Sequence, residues 1–184
     1  MMLILLAFMI LIPVSGFIVY KHAKFLGMTL MAIPLFLLFI FAGWWFYSIN
    51  HHFVSSTSLS EEAIAGFRLG EPLMEEDFER LGSYVKREQP AGIAYSFDSL
   101  YVSVDAENLI SSISSSRTQL ETTSGLMIGD TIEKAKSLYG DRYYTYREMG
   151  LGRAIVYVDR ENNYQLTLWT INEKTISMIW FSVY

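Results

Sequence analysis

The sequence predicts an α+β protein in which an N-terminal two-helix transmembrane hairpin precedes a tandem repeat of a short helix plus a three-stranded antiparallel meander. Three observations lead to this fold class. The first 57 residues carry two lysines and no acid, a charge of +2, whereas residues 58–184 carry 12 basic and 19 acidic residues, a charge of −7. A Gly-acid motif occurs twice in this acidic part. Alternating apolar sequence, which is typical of strands, follows each copy.

Two uncharged segments open the chain and are long enough for two membrane spans. Residues 1–20 and 25–50 contain no charged side chain. At a rise of about 1.5 Å per residue, a helix of either length crosses a hydrocarbon core roughly 30 Å thick. We therefore predict spans over about 2–20 and 25–47, within a membrane region covering residues 1–50.

Positive charge predicts how these spans are oriented. Lys21 and Lys24 lie between them, the N-terminus has no basic side chain, and the next basic residue is Arg68. Because loops rich in lysine and arginine stay on the cytoplasmic side, the turn is expected in the cytoplasm. Both chain termini and the acidic domain are then extracytoplasmic, and the localisation is a cell membrane crossed twice.

Aromatic residues close the second span, where an interfacial belt is expected. Trp44, Trp45 and Tyr47 are therefore predicted to lie at the membrane interface, as are Lys21 and Lys24 at the opposite end. The alternative is that the aromatic residues pack against another helix. A cleaved signal peptide in place of the first span is a further alternative, but that segment lacks a basic n-region and an obvious small-x-small cleavage site.

The acidic domain contains two similar units. Residues 67–73 and 126–132, which are 59 positions apart, share the order apolar, any, apolar, Gly, acid, any, apolar. Each motif is followed by a short helical pattern that ends at Gly82 or Gly140. The acid of each motif lies near the start of its helix, where the positive end of the helix dipole stabilises a negative charge. Internal duplication is the preferred interpretation, and chance similarity is the alternative.

Three strands are predicted after each helix. In the first copy they cover 92–97, 100–104 and 109–114, and in the second 154–158, 164–169 and 175–183, with turns at 105–108, 160–163 and 172–174. The last strands share Ile-Ser-x-Ile, beginning at Ile110 and Ile176. Their separation of 66 positions implies about seven extra residues in the second copy, which we place in a loop over 143–152. The predicted domains are a juxtamembrane linker at 51–63 and repeats at 64–117 and 118–184.

An apolar-x-apolar-Gly-acid start, a short helix that ends in Gly and a meander, all occurring twice, resemble the repeat of the beta-lactamase-inhibitor-protein-like and SmpA/OmlA (BamE-like) superfamily. The resemblance covers about residues 64–115 and 126–184. It implies a domain that binds other proteins through a sheet surface and is not an enzyme. The two-helix anchor and the lack of Cys depart from secreted and lipoprotein members, so inhibition of a beta-lactamase and outer-membrane assembly are not implied.

Composition excludes several kinds of chemistry. Without Cys there are no disulfides, thiol nucleophiles or thiolate metal sites. His22, His51 and His52 all lie at or near the membrane segments, so the domain has no His for a catalytic triad. Its negative charge repels nucleic acid. We predict no cofactor and no metal.

Carboxylates leave one enzymatic alternative, an envelope glycan hydrolase that uses a pair of acids. Its most obvious acids, Glu75, Glu76, Asp77 and Glu79, bunch on one short helix, which is more typical of a solvated helix face. The segment 159–163 superficially resembles a calcium loop, but the loop glycine and the bidentate Glu that calcium requires are missing, which favours a hairpin turn.

Aromatic residues supply the candidate partner contacts. Tyr143, Tyr144 and Tyr146 fall in the predicted loop, and alternation places Trp169 on the strand face opposite Leu166 and Leu168. If helices cover one face only, Trp169 is exposed; the alternative is that these residues complete a second core. We expect a membrane-anchored extracytoplasmic module that binds a protein or other envelope ligand without catalysis. The other alternative is a structural subunit of a membrane complex.

Overall fold

The structure, a computed structural model, describes residues 2–49, 53–98, 100–116 and 120–184. The chain divides into two compact units, Met1–Ile49 and Asn50–Tyr184. The first unit is apolar and helical, and the second contains an eight-stranded antiparallel sheet. The α+β class predicted from the sequence is therefore confirmed. The predicted boundary between the two copies, between residues 117 and 118, lies outside the described residues, and so do His51 and His52.

Two helices form the first unit, α1 (Met2–Tyr20) and α2 (Lys24–Ile49). Their backbones approach closely at glycines: a Cβ added to Gly27 would lie 2.4 Å from Tyr20 Cα, and one added to Gly16 would lie 3.0 Å from the Gly27 oxygen. Small residues at such points let the backbones of two apolar helices approach closely, so that the helices pack through van der Waals contacts.

Helix α2 meets the physical requirements for crossing a bilayer. Its segment Lys24–Tyr47 spans 24 residues with a mean hydropathy of 2.4. Among the described residues it is the one helix that is long and apolar enough by length and composition, and Leu11–Tyr20 forms a shorter apolar helix.

The second unit consists of two helices and one sheet. In chain order its elements are α3 (Glu75–Leu81), β1 (Tyr84–Gln89), β2 (Gly92–Phe97), β3 (Tyr101–Val104), β4 (Ile110–Ser115), α4 (Ile132–Tyr139), β5 (Tyr144–Glu148), β6 (Gly152–Asp159), β7 (Tyr164–Thr170) and β8 (Met178–Val183). The strand order is β1-β2-β3-β4-β8-β7-β6-β5, and every neighbouring pair is antiparallel. Strands β4 and β8 therefore meet in the middle of the sheet, and β1 and β5 form its two edges.

The prediction of three strands after each helix is wrong, because four follow. The additional strands are the edges β1 and β5, and the segment expected as a loop over 143–152 contains β5. Strand β1 is exposed along its whole length and has no alternating apolar pattern. An edge strand is held by pairing on one side and does not need a buried face of its own, so periodicity does not reveal it.

The other helices, turns and strands lie close to the limits predicted from local sequence signals. Helices α3 and α4 end at Gly82 and Gly140, whose φ values are +82° and +85°, as expected for glycine after a helix. The predicted turns contain Asn108, Asn163 and Glu173, all with positive φ. Strands β2, β3, β4, β6 and β7 lie within two residues of their predicted limits, whereas β8 begins three residues later than expected.

One face of the sheet holds the main core. Helices α3 and α4 cover it, together with the segments that precede them, and Ile113, Leu166 and Phe181 on the central strands are fully buried there. Leu59 and Leu126 belong to the same core although they lie outside the helices and strands. Burial of this continuous apolar face supplies the main driving force for folding.

The segment before the domain is packed rather than free. Residues 51–63 were expected to be a linker, but Thr57 N donates to Val158 O at 2.8 Å and Arg160 N donates to Ser56 Oγ at 3.0 Å. Leu59 is only 2% exposed. This segment lies beside β6 past Val156, where the pairing of β6 with β5 ends, and continues the backbone hydrogen bonding of β6 there.

Asp159 ties this segment to the sheet. Its carboxylate is buried and accepts hydrogen bonds from Leu59 N at 2.8 Å, from Glu161 N at 3.1 Å, and from both nitrogens of Asn162. Burial alone would raise the pKa of Asp159, but the hydrogen bonds from Leu59 and Asn162 favour the charged form, so its pKa is lowered from the ordinary value.

We expect Asp159→Asn to lower the free energy of unfolding at pH 7 by about 1–3 kcal/mol, because buried donors lose their charged acceptor. A carboxylate with a depressed folded pKa stabilises the fold above its unfolded pKa of about 3.9, and this contribution disappears as pH falls through the folded value. Urea unfolding of the full chain at pH 7 and pH 3 checks this. The gap between wild type and variant should be smaller at pH 3 than at pH 7, and a gap of constant size would contradict the role of ionised Asp159.

Candidate functional site

The sheet face opposite α3 and α4, here called the open face, differs in chemistry between its two halves. Along β2, β3, β4 and β8 it carries short hydroxyl side chains and two aromatic rings. These residues are Ser96, Tyr101, Ser103, Ser112, Ser114, Trp180 and Ser182. Along β5, β6 and β7 it carries aromatic and aliphatic side chains together with Gln165 and Thr167 of β7.

Pairing register aligns the hydroxyl half into two rows. Tyr101 pairs with Ser114, which pairs with Trp180, so a serine lies between two aromatic residues. Adjacent strands are about 4.8 Å apart, which puts the two aromatic Cα atoms about 10 Å from each other. We call this arrangement the aromatic slot. The neighbouring row is Ser103, Ser112 and Ser182, in the same strand order.

Hydrogen bonds orient both rings of the aromatic slot. Gln89 Nε2 donates to the Tyr101 hydroxyl at 2.6 Å, and Trp180 Nε1 donates to Ser112 Oγ at 3.4 Å. Trp180 remains 40% exposed, although most large apolar side chains of the sheet are buried. An exposed, oriented tryptophan beside a small side chain is a common feature of binding surfaces.

The aromatic slot lies within an open groove of about 850 Å³. The serine rows form its floor, Leu151 and Met178 lie along one side, and Gln89 lies along the other. Among the described residues that line it, Asp98 is the one with a formal charge. The groove is therefore large enough for a small ligand and is lined almost wholly by neutral groups.

The floor of the groove offers side chains and not backbone. Strands β3, β4 and β8 each pair with a neighbour on both sides. Their backbone N–H and C=O groups are therefore used within the sheet. A molecule in the groove would be recognised by hydroxyls, one amide and aromatic faces.

Trp169 was expected to be exposed, and that expectation is wrong. It is 1% exposed in a second, smaller core with Ala154, Val156 and Val158. Residues from β5 and from neighbouring turns cover it, and the Tyr146 ring meets the Trp169 ring edge-on with centroids 5.4 Å apart. The predicted alternation along β7 is correct; what the sequence did not reveal is the cover supplied by β5.

The three tyrosines named as partner contacts are divided between the two faces. Tyr144 and Tyr146 stack on the open face at 6.2 Å and are half-buried against the second core. Tyr143 packs on the main core beside Tyr157, with ring centroids 5.7 Å apart. Burial raises the pKa of Tyr144 to about 12, so its hydroxyl stays neutral at physiological pH. The structure therefore does not bring the four named residues into one exposed patch, and their role in partner binding remains a prediction.

The residues expected at the membrane interface belong to the first unit. Trp44, Trp45 and Tyr47 form an exposed aromatic group near the end of α2. Lys21 and Lys24 are exposed at the other end, in and next to the turn between the helices. The two groups thus lie at opposite ends of α2. Contact with lipid and the cytoplasmic location of the turn remain predictions.

The acids that cluster in the sequence lie on a solvent-exposed helix. Helix α3, which carries the four clustered acids, has no buried residue. Within the described ranges, no three His, Asp or Glu side chains come close enough to hold a metal ion. The 159–163 segment forms the hairpin turn between β6 and β7, as predicted.

Sequence reasoning did not find Tyr101, Trp180 or the serine rows. Their signal is present as Tyr-x-Ser in β3, Trp-x-Ser in β8 and Ile-Ser-Ser-Ile-Ser-Ser in β4. The register between β3 and β4 shifts at Ser103 and Val104, however, so Ser112 and not Ser111 pairs with Ser103. A bulge of this kind moves side chains from one face to the other and cannot be read from period-two alternation.

Comparison with known proteins assigns the chain to no family. No protein-family model matches the chain, and no curated protein or solved structure matches it significantly. The resemblance to the beta-lactamase-inhibitor-protein-like and BamE-like superfamily therefore rests on the sequence motif alone.

Proposed function

We propose that the chain is a membrane-anchored extracytoplasmic module that binds a ligand in the groove on the open face of its sheet and performs no covalent chemistry. The observation that carries this proposal is the aromatic slot, in which Tyr101 and Trp180 flank Ser114 on a neutral floor. In this proposal, the bound state of the module regulates a partner in the membrane or envelope.

Several features of the first unit support an anchor made of two spans. Helix α1 has 19 residues and α2 has 26, so both reach the minimum of roughly 17 residues for a spanning helix. Their close approach at Gly16 and Gly27 favours a packed hairpin. Lys21 and Lys24 then hold the turn in the cytoplasm and leave the second unit outside.

Internal duplication is supported by contacts that recur in both halves of the sheet. Gly70 N donates to Ile110 O at 2.8 Å, and Ile110 N donates to Glu71 O at 2.8 Å. In the second half, Gly129 N donates to Ile176 O at 2.8 Å, and Ile176 N donates to Asp130 O at 2.9 Å. The two motifs shared in sequence thus meet in the same way twice, as expected for a tandem repeat of the proposed superfamily.

The extra residues of the second half lie elsewhere than the sequence suggested. Gly92 and Gly152, which begin β2 and β6, are 60 positions apart, whereas Val104 and Thr170, which end β3 and β7, are 66 apart. Most of the additional length therefore falls in the β6–β7 hairpin and not in a loop over 143–152.

The groove favours binding over hydrolysis. Glycoside hydrolysis needs two carboxylates on either side of the scissile bond. Of the described residues that line the groove, Asp98 alone carries a carboxylate. A solely structural subunit would have no need for an exposed tryptophan in an open groove, so a binding role accounts better for Trp180.

Photocrosslinking in intact cells tests the proposed function. A benzophenone amino acid placed at Tyr101 keeps an aromatic group in the aromatic slot, and the same substitution at Tyr84 gives a matched control. Tyr84 is 47% exposed but packs against Phe78 on the helix-covered face. We expect an adduct from position 101 that is lost when Trp180→Ala is added, and none from position 84. Equal adducts at both positions, or none at position 101, would contradict the proposal.

A further inference from the structure

We infer that the groove binds a neutral glycan, with one pyranose ring held between Tyr101 and Trp180; this inference rests on the proposed function and names its ligand class. The aromatic slot, the serine rows, the almost wholly neutral lining and the paired backbone of the floor lead to this ligand.

The described lining carries no positive charge and a single negative one, Asp98, which disfavours ligands that are recognised by their charge. Phosphate, carboxylate or ammonium groups require an opposite charge or several aligned donors to replace their hydration. The groove floor offers Ser103, Ser112, Ser114 and Ser182, with the amide of Gln89 at its side. Hydroxyl groups both donate and accept, which matches the hydroxyls of a neutral sugar.

The paired backbone of the floor disfavours an extended peptide. Peptides that bind to sheets usually add as a strand at a free edge, where unpaired backbone groups of the sheet form hydrogen bonds with the peptide backbone. Strands β3, β4 and β8 have no free edge. A peptide on this floor would leave backbone groups without partners, whereas a polyhydroxyl ligand carries no such requirement.

The dimensions of the aromatic slot suit a single saturated ring. The two aromatic residues are separated by about two strand spacings, or about 10 Å. Van der Waals contact at about 3.5–4.0 Å on both sides of one ring takes up about 7–8 Å of this Cα–Cα separation. Sugar rings present apolar C–H faces to aromatic rings and hydroxyls at their rim, so Ser182 in the neighbouring row is positioned for the rim. The hydroxyl of Ser112, which accepts from Trp180 Nε1, can still donate to a sugar oxygen.

Titration of the full chain in lipid nanodiscs with chitotetraose, cellotetraose and maltotetraose tests the inference. We expect saturable binding of at least one of these neutral oligosaccharides. Trp180→Ala should weaken it at least about tenfold, because it removes one face of the aromatic slot. Ser114→Leu should do the same by filling the slot, whereas Ser137→Leu on the exposed face of α4 should leave binding unchanged.

The possible failures are distinguishable. If none of the three oligosaccharides binds, or if Trp180→Ala and Ser114→Leu bind as well as the wild type, the glycan inference is overturned. A polypeptide adduct from position 101 in cells would also overturn it while leaving the groove as a binding site. Absence of any adduct from position 101 would overturn the proposed function and, with it, the inference that rests on it.

Discussion

Replacement of Gly92 by alanine is expected to lower the free energy of unfolding by about 3–5 kcal/mol. Gly92 begins β2 with φ +149°, a conformation that side chains disfavour. A Cβ at this position would lie 2.0 Å from the carbonyl oxygen of Val104, which belongs to the paired strand β3. Because that oxygen is part of the backbone, it cannot move aside as the end of a flexible side chain would.

Gly125→Ala provides the control for this prediction. Gly125 has φ +82°, but nothing lies within 4 Å of an added Cβ. The free energy of unfolding of Gly125→Ala should fall only by the cost of the backbone conformation, about 1–2 kcal/mol. Urea unfolding of both full-length variants, followed by far-UV circular dichroism of the sheet, measures the difference. Losses of equal size would show that β2 and β3 are not as close as the structure places them.

Gly152 extends the same prediction to the second half of the sheet. A Cβ there would lie 2.4 Å from the carbonyl oxygen of Thr170. Its position at the start of β6 corresponds to that of Gly92 at the start of β2. We therefore expect Gly152→Ala to be as destabilising as Gly92→Ala, and a much smaller loss would weaken the proposed equivalence of the two halves.

The elements that the sequence predicted well are those set by local chemistry. Glycine with positive φ stops α3 at Gly82 and α4 at Gly140, and Asn108 and Asn163 mark their hairpin turns. Alternation in β7 correctly assigned Leu166 to the main core and Trp169 to the opposite face. Signals of this kind depend on a few neighbouring residues, so a single sequence contains them.

The features that the sequence did not reveal depend on contacts between distant residues. Strand β1 is recognisable only through its pairing with β2, because its own side chains are all exposed. The burial of Trp169 depends on Tyr146 and on Val54, which lies 115 positions earlier in the chain. The aromatic slot depends on the order β3-β4-β8, which brings Trp180 next to Ser114 across 66 residues. Such neighbours are decided by topology and register and not by local pattern.

The predicted orientation of the chain in the membrane has the largest consequence, because the opposite orientation would place the groove in the cytoplasm. The chain contains no Cys, so a single introduced cysteine is a unique label site. His22→Cys reports on the exposed turn between α1 and α2 and retains both neighbouring lysines. Ser137→Cys reports on the sheet domain from an exposed position on α4.

Labelling of these two variants with a membrane-impermeant maleimide, in cells whose plasma membrane is intact, tests the central claim most directly. We predict that Ser137→Cys reacts before permeabilisation and that His22→Cys reacts only afterwards, since positive charge retains the turn in the cytoplasm. Parallel labelling in permeabilised cells confirms that both cysteines are reactive. Reaction of His22→Cys in intact cells, together with protection of Ser137→Cys, would contradict the extracytoplasmic groove.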